Sequence, residues 1–283
     1  MKNRDFIITS LQPWDIEIGS TIKNTALEIS KNNRVLYINT PMDYSTRLRG
    51  NKNKAWTRRM DVIKKQASPI RQINEHMWIA DCPFCVLPVG GLPTTCLFDW
   101  INRINNRKIA DYIRQITAQL NFNNYIHLID TDIYRSQYLK EYLTPSLSIY
   151  YCRDFVIGES YWKKNGVRLE PLLAAKSDIV LANSTHFAER FRQYNRHTFS
   201  IETGVNLALY DGRKKWLIPE DIKPIPHPII GYVGTVNSTR LDSDLLLQIA
   251  EERPVYSFVF TGPEDEVFSQ HPIHRLPNVY FLG

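Results

Sequence analysis

Short apolar runs alternate with stretches of helical periodicity from the first residues of the chain. Asp5–Ser10 (DFIITS) reads as a buried strand, Gly19–Ser30 as a helix with Ile22, Ala26 and Ile29 on one face, and Arg34–Asn39 (RVLYIN) as a second strand. Such a βαβ unit implies a parallel sheet with a right-handed crossover. The pattern predicts further strands at Met77–Ala80, Tyr125–Ile129, Leu147–Cys152, Ile179–Ala182 and Thr198–Ile201. Between them it predicts a long helix near Phe98–Leu120 and shorter ones near Ser136–Tyr142, Glu170–Lys176 and Thr185–Tyr194. Strands alternating with helices over about 200 residues define a doubly wound α/β domain, residues 1–210.

Periodicity then lapses. Asp211–Pro228 (DGRKKWLIPEDIKPIPHP) has four prolines and reads as a linker. A fresh βαβ pattern follows: strand Ile229–Val233, helix Ser243–Glu252, strand Tyr256–Phe260 and a last strand at Val279–Leu282. Residues 229–283 are few to cover both faces of a parallel sheet, so this second domain is expected to be incomplete.

Composition sets limits. The chain has 283 residues, 43% hydrophobic and 23% charged, which excludes global disorder. The run around Cys85–Leu92 is broken by Pro88, Gly90 and Gly91, far short of the ~18 residues of a membrane span. The start, MKNRDFIITSLQPWD, has no apolar leader pattern, and four cysteines fit a reduced, cytoplasmic chain.

Charge is concentrated. Between Arg47 and Arg71 stand Arg47, Arg49, Lys52, Lys54, Arg58, Arg59, Lys64, Lys65 and Arg71 against the single acid Asp61, a local surplus larger than the +6 of the whole chain. A solvated loop explains such a run; so does an anionic partner such as a phospholipid surface or a phosphorylated substrate. Trp56 within the run suits headgroup depth, which makes Trp56, Arg58, Arg59, Lys64 and Lys65 the expected contacts to a membrane or an anionic acceptor. Nucleic acid is not expected, because no RRM, KH or helix-turn-helix pattern occurs.

Candidate chemistry sits at strand ends. The loop Ser10–Gly19 leaves the first strand where open α/β sheets bind ligands, and Gly19 and Ser20 open the next helix, where N–H groups can meet a phosphate. With Gly19 its only glycine, this is not a dinucleotide fingerprint, and an ordinary βα loop with Ser20 as cap explains it equally well. Asp130 and Asp132 follow the fourth predicted strand, Arg153 and Asp154 the fifth. A carboxylate there can act as base towards a hydroxyl and an arginine can hold a phosphate, while Asp132 serves equally as a helix cap. Cys82-Pro-Phe-Cys85 lacks the helix that a redox CxxC opens and the second pair that zinc requires, so incidental thiols are expected. His127 reads as a core-edge histidine.

Several segments together resemble one family. Glu170–Phe187 (EPLLAAKSDIVLANSTHF) and Ile201–Tyr210 (IETGVNLALY) look like the corresponding stretch of GT-B glycosyltransferases, family 4 and its relatives. The order Ile229–Asp242 (IIGYVGTVNSTRLD), Glu252–Gly262 (ERPVYSFVFTG) and Asn278–Gly283 (NVYFLG) is similar to the donor domain of the bacterial polysaccharide-synthesis branch. The resemblance implies two Rossmann-like domains facing each other across a cleft and a sugar transferred, with retention, from a nucleotide-sugar to a polysaccharide or lipid-linked acceptor. It implies no metal or other cofactor. It implies that Gly234, Thr235, Gly19, Ser20 and Arg153 approach the donor diphosphate, that one of Asp130, Asp132 and Asp154 orients or deprotonates the acceptor hydroxyl, and that the basic run meets the inner membrane face. Glu202-Thr-Gly-Val-Asn206 departs from the family's PNGVD, and the acidic donor motif expected after Gly283 is not in the chain, so a truncated donor domain is expected. The alternative is a non-catalytic GT-B-like protein that binds an anionic glycan or membrane through residues 47–71.

Overall fold

A computed structural model describes all residues except 17, 18, 51, 52, 205, 206, 208 and 209. The chain divides into two compact units, Met1–Leu207 and Ala208–Gly283.

The first unit is built on an eight-stranded sheet. Its strands are β1 (Asp5–Ser10), β2 (Arg34–Ile38), β3 (Ile70–Asn74), β4 (Met77–Ala80), β5 (Ile126–Asp130), β6 (Leu147–Cys152), β7 (Ile179–Ala182) and β8 (Thr198–Ser200), in the spatial order β3-β4-β2-β1-β5-β6-β7-β8. Every pairing is parallel except β3 with β4. β1 is buried along its whole length, as a central strand covered on both faces must be. Alternate residues feed opposite faces. Ile7, Leu36 and Ile38 pack with Ile109, Ile113 and Ile116 of α4 (Thr95–Gln119), whereas Phe6, Ile8, Val35 and Tyr37 pack with Ile22 and Ala26 of α1 (Thr21–Ser30).

The basic stretch is not a loop. It forms α2 (Tyr44–Arg49), α3 (Lys54–Ile63) and the edge strand β3. Asp43 caps α2 by accepting from the Thr46 N–H, and Asn53 caps α3 by accepting from the Trp56 N–H. The cationic side chains hide this in the sequence. Only Met60 and Val62 of α3 are buried, too few to mark a helical face.

Helices α5 (Leu139–Leu143), α6 (Ser160–Lys176) and α7 (Thr185–Arg192) complete the unit. The sequence predicts only the last turns of α6, because Gly166 and Pro171 interrupt its pattern. Tertiary packing overrides that weakness: Leu173 and Ala174 are buried against Tyr150 and Val180 of the sheet, and Leu169 against Phe98 and Ile157.

The second unit has three parallel strands, β9 (Ile229–Val233), β10 (Ser257–Thr261) and β11 (Val279–Phe281), in the order β11-β10-β9. α8 (Ser243–Glu252) and α9 (Glu266–Ser269) pack on the Phe258 and Phe260 face through Ala250 and Phe268. Residues 211–228 contain no helix or strand.

Candidate functional site at the sheet's carboxyl edge

From β1 the chain travels outward through β2 and β4. It then returns to the centre and runs the other way through β5, β6, β7 and β8. The order therefore reverses between β1 and β5, and their carboxyl ends flank the crevice where open α/β sheets take ligands.

Ser10 and Asp130 end these two strands and are partners in the ladder. The Ser10 hydroxyl donates to Asp130 Oδ2 at 2.7 Å, and the Leu11 N–H donates to the Asp130 carbonyl. Arg153, just beyond β6, donates from Nε to Asp130 Oδ1 at 3.0 Å and from Nη2 to Gln12 Oε1 at 3.2 Å. Its Nη1 lies 2.8 Å from Asp154 Oδ2. Burial pushes the Asp130 carboxyl up while Arg153 pulls it down, and the two carboxylates raise Arg153 against its own burial. Between them Thr131 holds φ +56°, a left-handed backbone that a β-branched residue rarely adopts. Its N–H donates to the Tyr151 carbonyl and its hydroxyl accepts from the Arg153 N–H, so the strain fixes where Arg153 leaves the sheet.

The three expected carboxylates are not equivalent. Asp130 is fully buried and engaged on both oxygens. Asp132 is buried and accepts from Nε of Arg135 at 3.1 Å, a local contact of the capping kind. Asp154 is half exposed, which leaves it alone among the three able to meet a solvent-borne group without moving its neighbours. Ser20 is the N-cap of α1 and accepts from the Lys23 N–H, while a Cβ on Gly19 would touch nothing within 4 Å.

Sequence reasoning missed a second cluster beyond β2 and β4. Asn39 donates through Nδ2 to Asp15 Oδ2 at 2.9 Å and to Asp81 Oδ1 at 2.7 Å. Asp81, fully buried, takes Nε of Arg58 at 3.1 Å, and Asp15 takes Nη2 of Arg71 at 2.6 Å. Asn39 and Asp81 directly follow their strands, and that position was the available signal. Arg58 and Arg59, two of the expected contacts to a membrane or an anionic acceptor, do not project freely into solvent. Arg58 faces Asp81, and Nε and Nη2 of Arg59 are closed off from solvent because the side chain lies against the protein. Trp56 packs with Met42, Met60 and Cys85, whereas Lys64 and Lys65 are exposed. Lys52 lies outside the described residues.

Next to this edge is a groove of about 210 Å³ lined by Asp43, Tyr134, Arg135, Tyr161 and Trp162. A larger depression near Arg4, Arg34 and Asn123 lies by the amino ends of β1 and β2, away from these carboxylates.

In the second unit, Gly234 follows β9 and Gly262 follows β10. Gly234 has φ +152° and Gly262 +138°, and a Cβ on Gly262 would stand 2.1 Å from the Gly234 carbonyl oxygen. Only glycine permits this approach. Thr235 is exposed beside it.

Cys82 and Cys85 are buried free thiols, and burial pushes Cys82 up to about 12, which removes it from redox chemistry at neutral pH. His127 is wholly buried, with Nε2 2.9 Å from the Thr9 hydroxyl. Among the described residues no group of three or more His, Cys, Asp or Glu side chains is placed to hold a metal ion, and no helix is long and apolar enough to cross a membrane.

No protein-family model and no curated protein matches the chain in sequence. Solved structures match it in shape. HepE from Anabaena, in complex with UDP and glucose, is 14% identical with a TM-score of 0.56, over 99% of this chain and 69% of that one. Sucrose-phosphate synthase from Thermosynechococcus elongatus is 11% identical with a TM-score of 0.59, over 99% and 70%. A UDP-glucosyltransferase from Polygonum tinctorium is 10% identical with a TM-score of 0.54, over 99% and 71%. At these identities the likeness establishes architecture, and the chain has the mixed α/β fold of GT-B glycosyltransferases.

Proposed function

We propose that the protein is a glycosyltransferase that takes a sugar from a nucleotide-sugar donor and passes it to an acceptor hydroxyl. The observation that carries this reading is the Ser10–Asp130–Arg153–Asp154 constellation at the switch point of a GT-B-type fold. The UDP and glucose held by the HepE structure support the choice of donor class.

Each residue then has a role that follows from its surroundings. Arg153 is fixed by Asp130 and supplies positive charge towards a leaving diphosphate. Asp154, the exposed carboxylate, accepts the proton of the acceptor hydroxyl as that oxygen attacks the anomeric carbon. Asp130 is a positioning residue, and the buried Ser10 hydroxyl holds its second oxygen. In the second unit the bare backbone at Gly234 and Gly262, with the Thr235 hydroxyl, lets a diphosphate come close to main-chain N–H groups. The acceptor is a polysaccharide or a lipid-linked glycan, and the reaction proceeds with retention, which requires the acceptor oxygen to attack the anomeric carbon from the face that the diphosphate leaves, with its proton passing to Asp154 on that same face. Both belong to the proposal through the family resemblance.

The test is transfer from radiolabelled UDP-, GDP- and ADP-sugars to glycan and lipid-linked acceptors by wild type and by Asp154→Asn. Transfer by wild type that falls at least ~100-fold in the variant supports the reading. Equal transfer by both removes Asp154 from its role.

A further inference from the structure

We propose that Arg59 and Arg71 form a phosphate-binding subsite beyond the carboxyl ends of β2 and β4. Within the transferase reading, this subsite holds a phosphate carried by the acceptor. The binding of phosphate itself does not depend on that reading.

Several buried donors near these strand ends make no hydrogen bond. Five buried side-chain nitrogens lack a partner among the described residues, and four of them belong to this one patch: Arg59 Nε and Nη2, Arg71 Nε and Trp56 Nε1. Trp56 and Arg59 stand three residues apart on α3 and share a face. Leaving a charged donor unmade in the interior is costly, and native proteins seldom do so without an ion or a functional reason.

Geometry selects the ligand. Nε and Nη2 form the side edge of a guanidinium, the edge with which Arg34 grips Asp5 in this same protein, at 2.8 and 2.6 Å. On Arg59 that edge has no such partner. The nearby carboxylates are already shared: Asp81 takes Arg58 and lies 3.6 Å from Arg71 Nε, and Asp15 takes Arg71. Burial lowers the Arg59 pKa, and Asp15 and Asp81 oppose that shift only in part. The cluster therefore carries a cation in surplus. Donors from two separate guanidinium planes suit the tetrahedral oxygens of a phosphate better than the two coplanar oxygens of a carboxylate. Arg58 and Arg71 are 24% and 32% exposed, so the cluster opens to solvent on their side, and a phosphate would reach the Arg59 edge as that side chain moves.

Calorimetric titration of the full chain tests this with three probes: inorganic phosphate, glucose 1-phosphate, and phosphatidylcholine vesicles carrying phosphatidic acid. Wild type should saturate with at least one, and Arg59→Gln should bind ~10-fold or more weakly, while towards the two soluble phosphates Lys64→Gln/Lys65→Gln should stay close to wild type. Arg59→Lys keeps the charge without the side edge and should fall between them, which guards against a Gln variant that fails to fold. Saturation by the soluble phosphates supports the site and assigns it a soluble phosphate ester. Saturation by vesicles alone supports it and assigns a lipid phosphate. Folded wild type that binds none of the probes, or Arg59→Gln that binds as wild type does, overturns the proposal. Nucleotide binding, titrated separately, reports on the transferase reading without involving Arg59.

Discussion

Arg153 grips Asp130 through two nitrogens, Nε at 3.0 Å from Oδ1 and Nη2 at 3.4 Å from Oδ2, across the ends of adjacent strands. The carboxylate is fully buried, and it shares its second oxygen with the Ser10 hydroxyl from the other side of the switch point. The hydrogen bonds from Ser10 to Asp130 and from Arg153 to Gln12 thereby tie the two halves of the sheet together where the order reverses, and the ion pair anchors them on one side.

Removing the arginine leaves that carboxylate buried without its charge partner. Arg153→Ala should lower stability by about 3–5 kcal/mol in urea unfolding. Asp154→Asn, which loses only a half-exposed pair, should cost less than about 1 kcal/mol. Equal effects from the two variants would contradict the assigned difference between the carboxylates.

His127 makes stability depend on pH. Burial holds its folded pKa at about 3, below the ordinary 6.5. Below 6.5 the unfolded chain takes up a proton that the folded chain refuses, so this stabilisation is present at neutral pH and is lost as pH falls towards 3. Asp130 and Glu170, whose carboxyls burial raises, act in the opposite direction, so comparison with a variant is needed. Between pH 7 and 5, wild type should lose about 2 kcal/mol more than His127→Gln does. Parallel pH profiles would show that the imidazole protonates in the folded state.

Gly262→Ala would force a methyl against the Gly234 carbonyl in a backbone region that alanine avoids. It should unfold or loosen the second unit, whereas Gly231→Ala, with nothing within 4 Å, should have a much smaller effect. Hydrogen exchange on β9 and β10 reads the difference, and equal protection in both variants would contradict the close approach.

Thiol reactivity follows burial. Cys96 is exposed and Cys82, Cys85 and Cys152 are buried, so iodoacetamide on the native protein should add one group by intact mass. Rapid modification of Cys82 would contradict its enclosed setting.

Much of this architecture is legible in the residues. β1, β4, β6, β7, β9 and α8 fall on the residues the apolar pattern predicts, because buried parallel strands are short, nearly unbroken apolar runs. Where side chains conflict with the element, the pattern fails. α3 is wrapped in cations with only two buried positions, and most of α6 precedes its Pro171. Asp130 and Arg153 were recognisable as strand-end residues. The inward turn of Arg58 and Arg59 was not, because it depends on Asp81 and Asn39, which reach the cluster from strands far away in sequence.

Calorimetric titration of the full chain with UDP-, GDP- and ADP-sugars decides whether the protein holds a nucleotide-sugar. One of them should bind saturably, competed by its nucleoside diphosphate and weakened by Gly234→Val. Folded protein that binds none of the three would contradict the transferase reading.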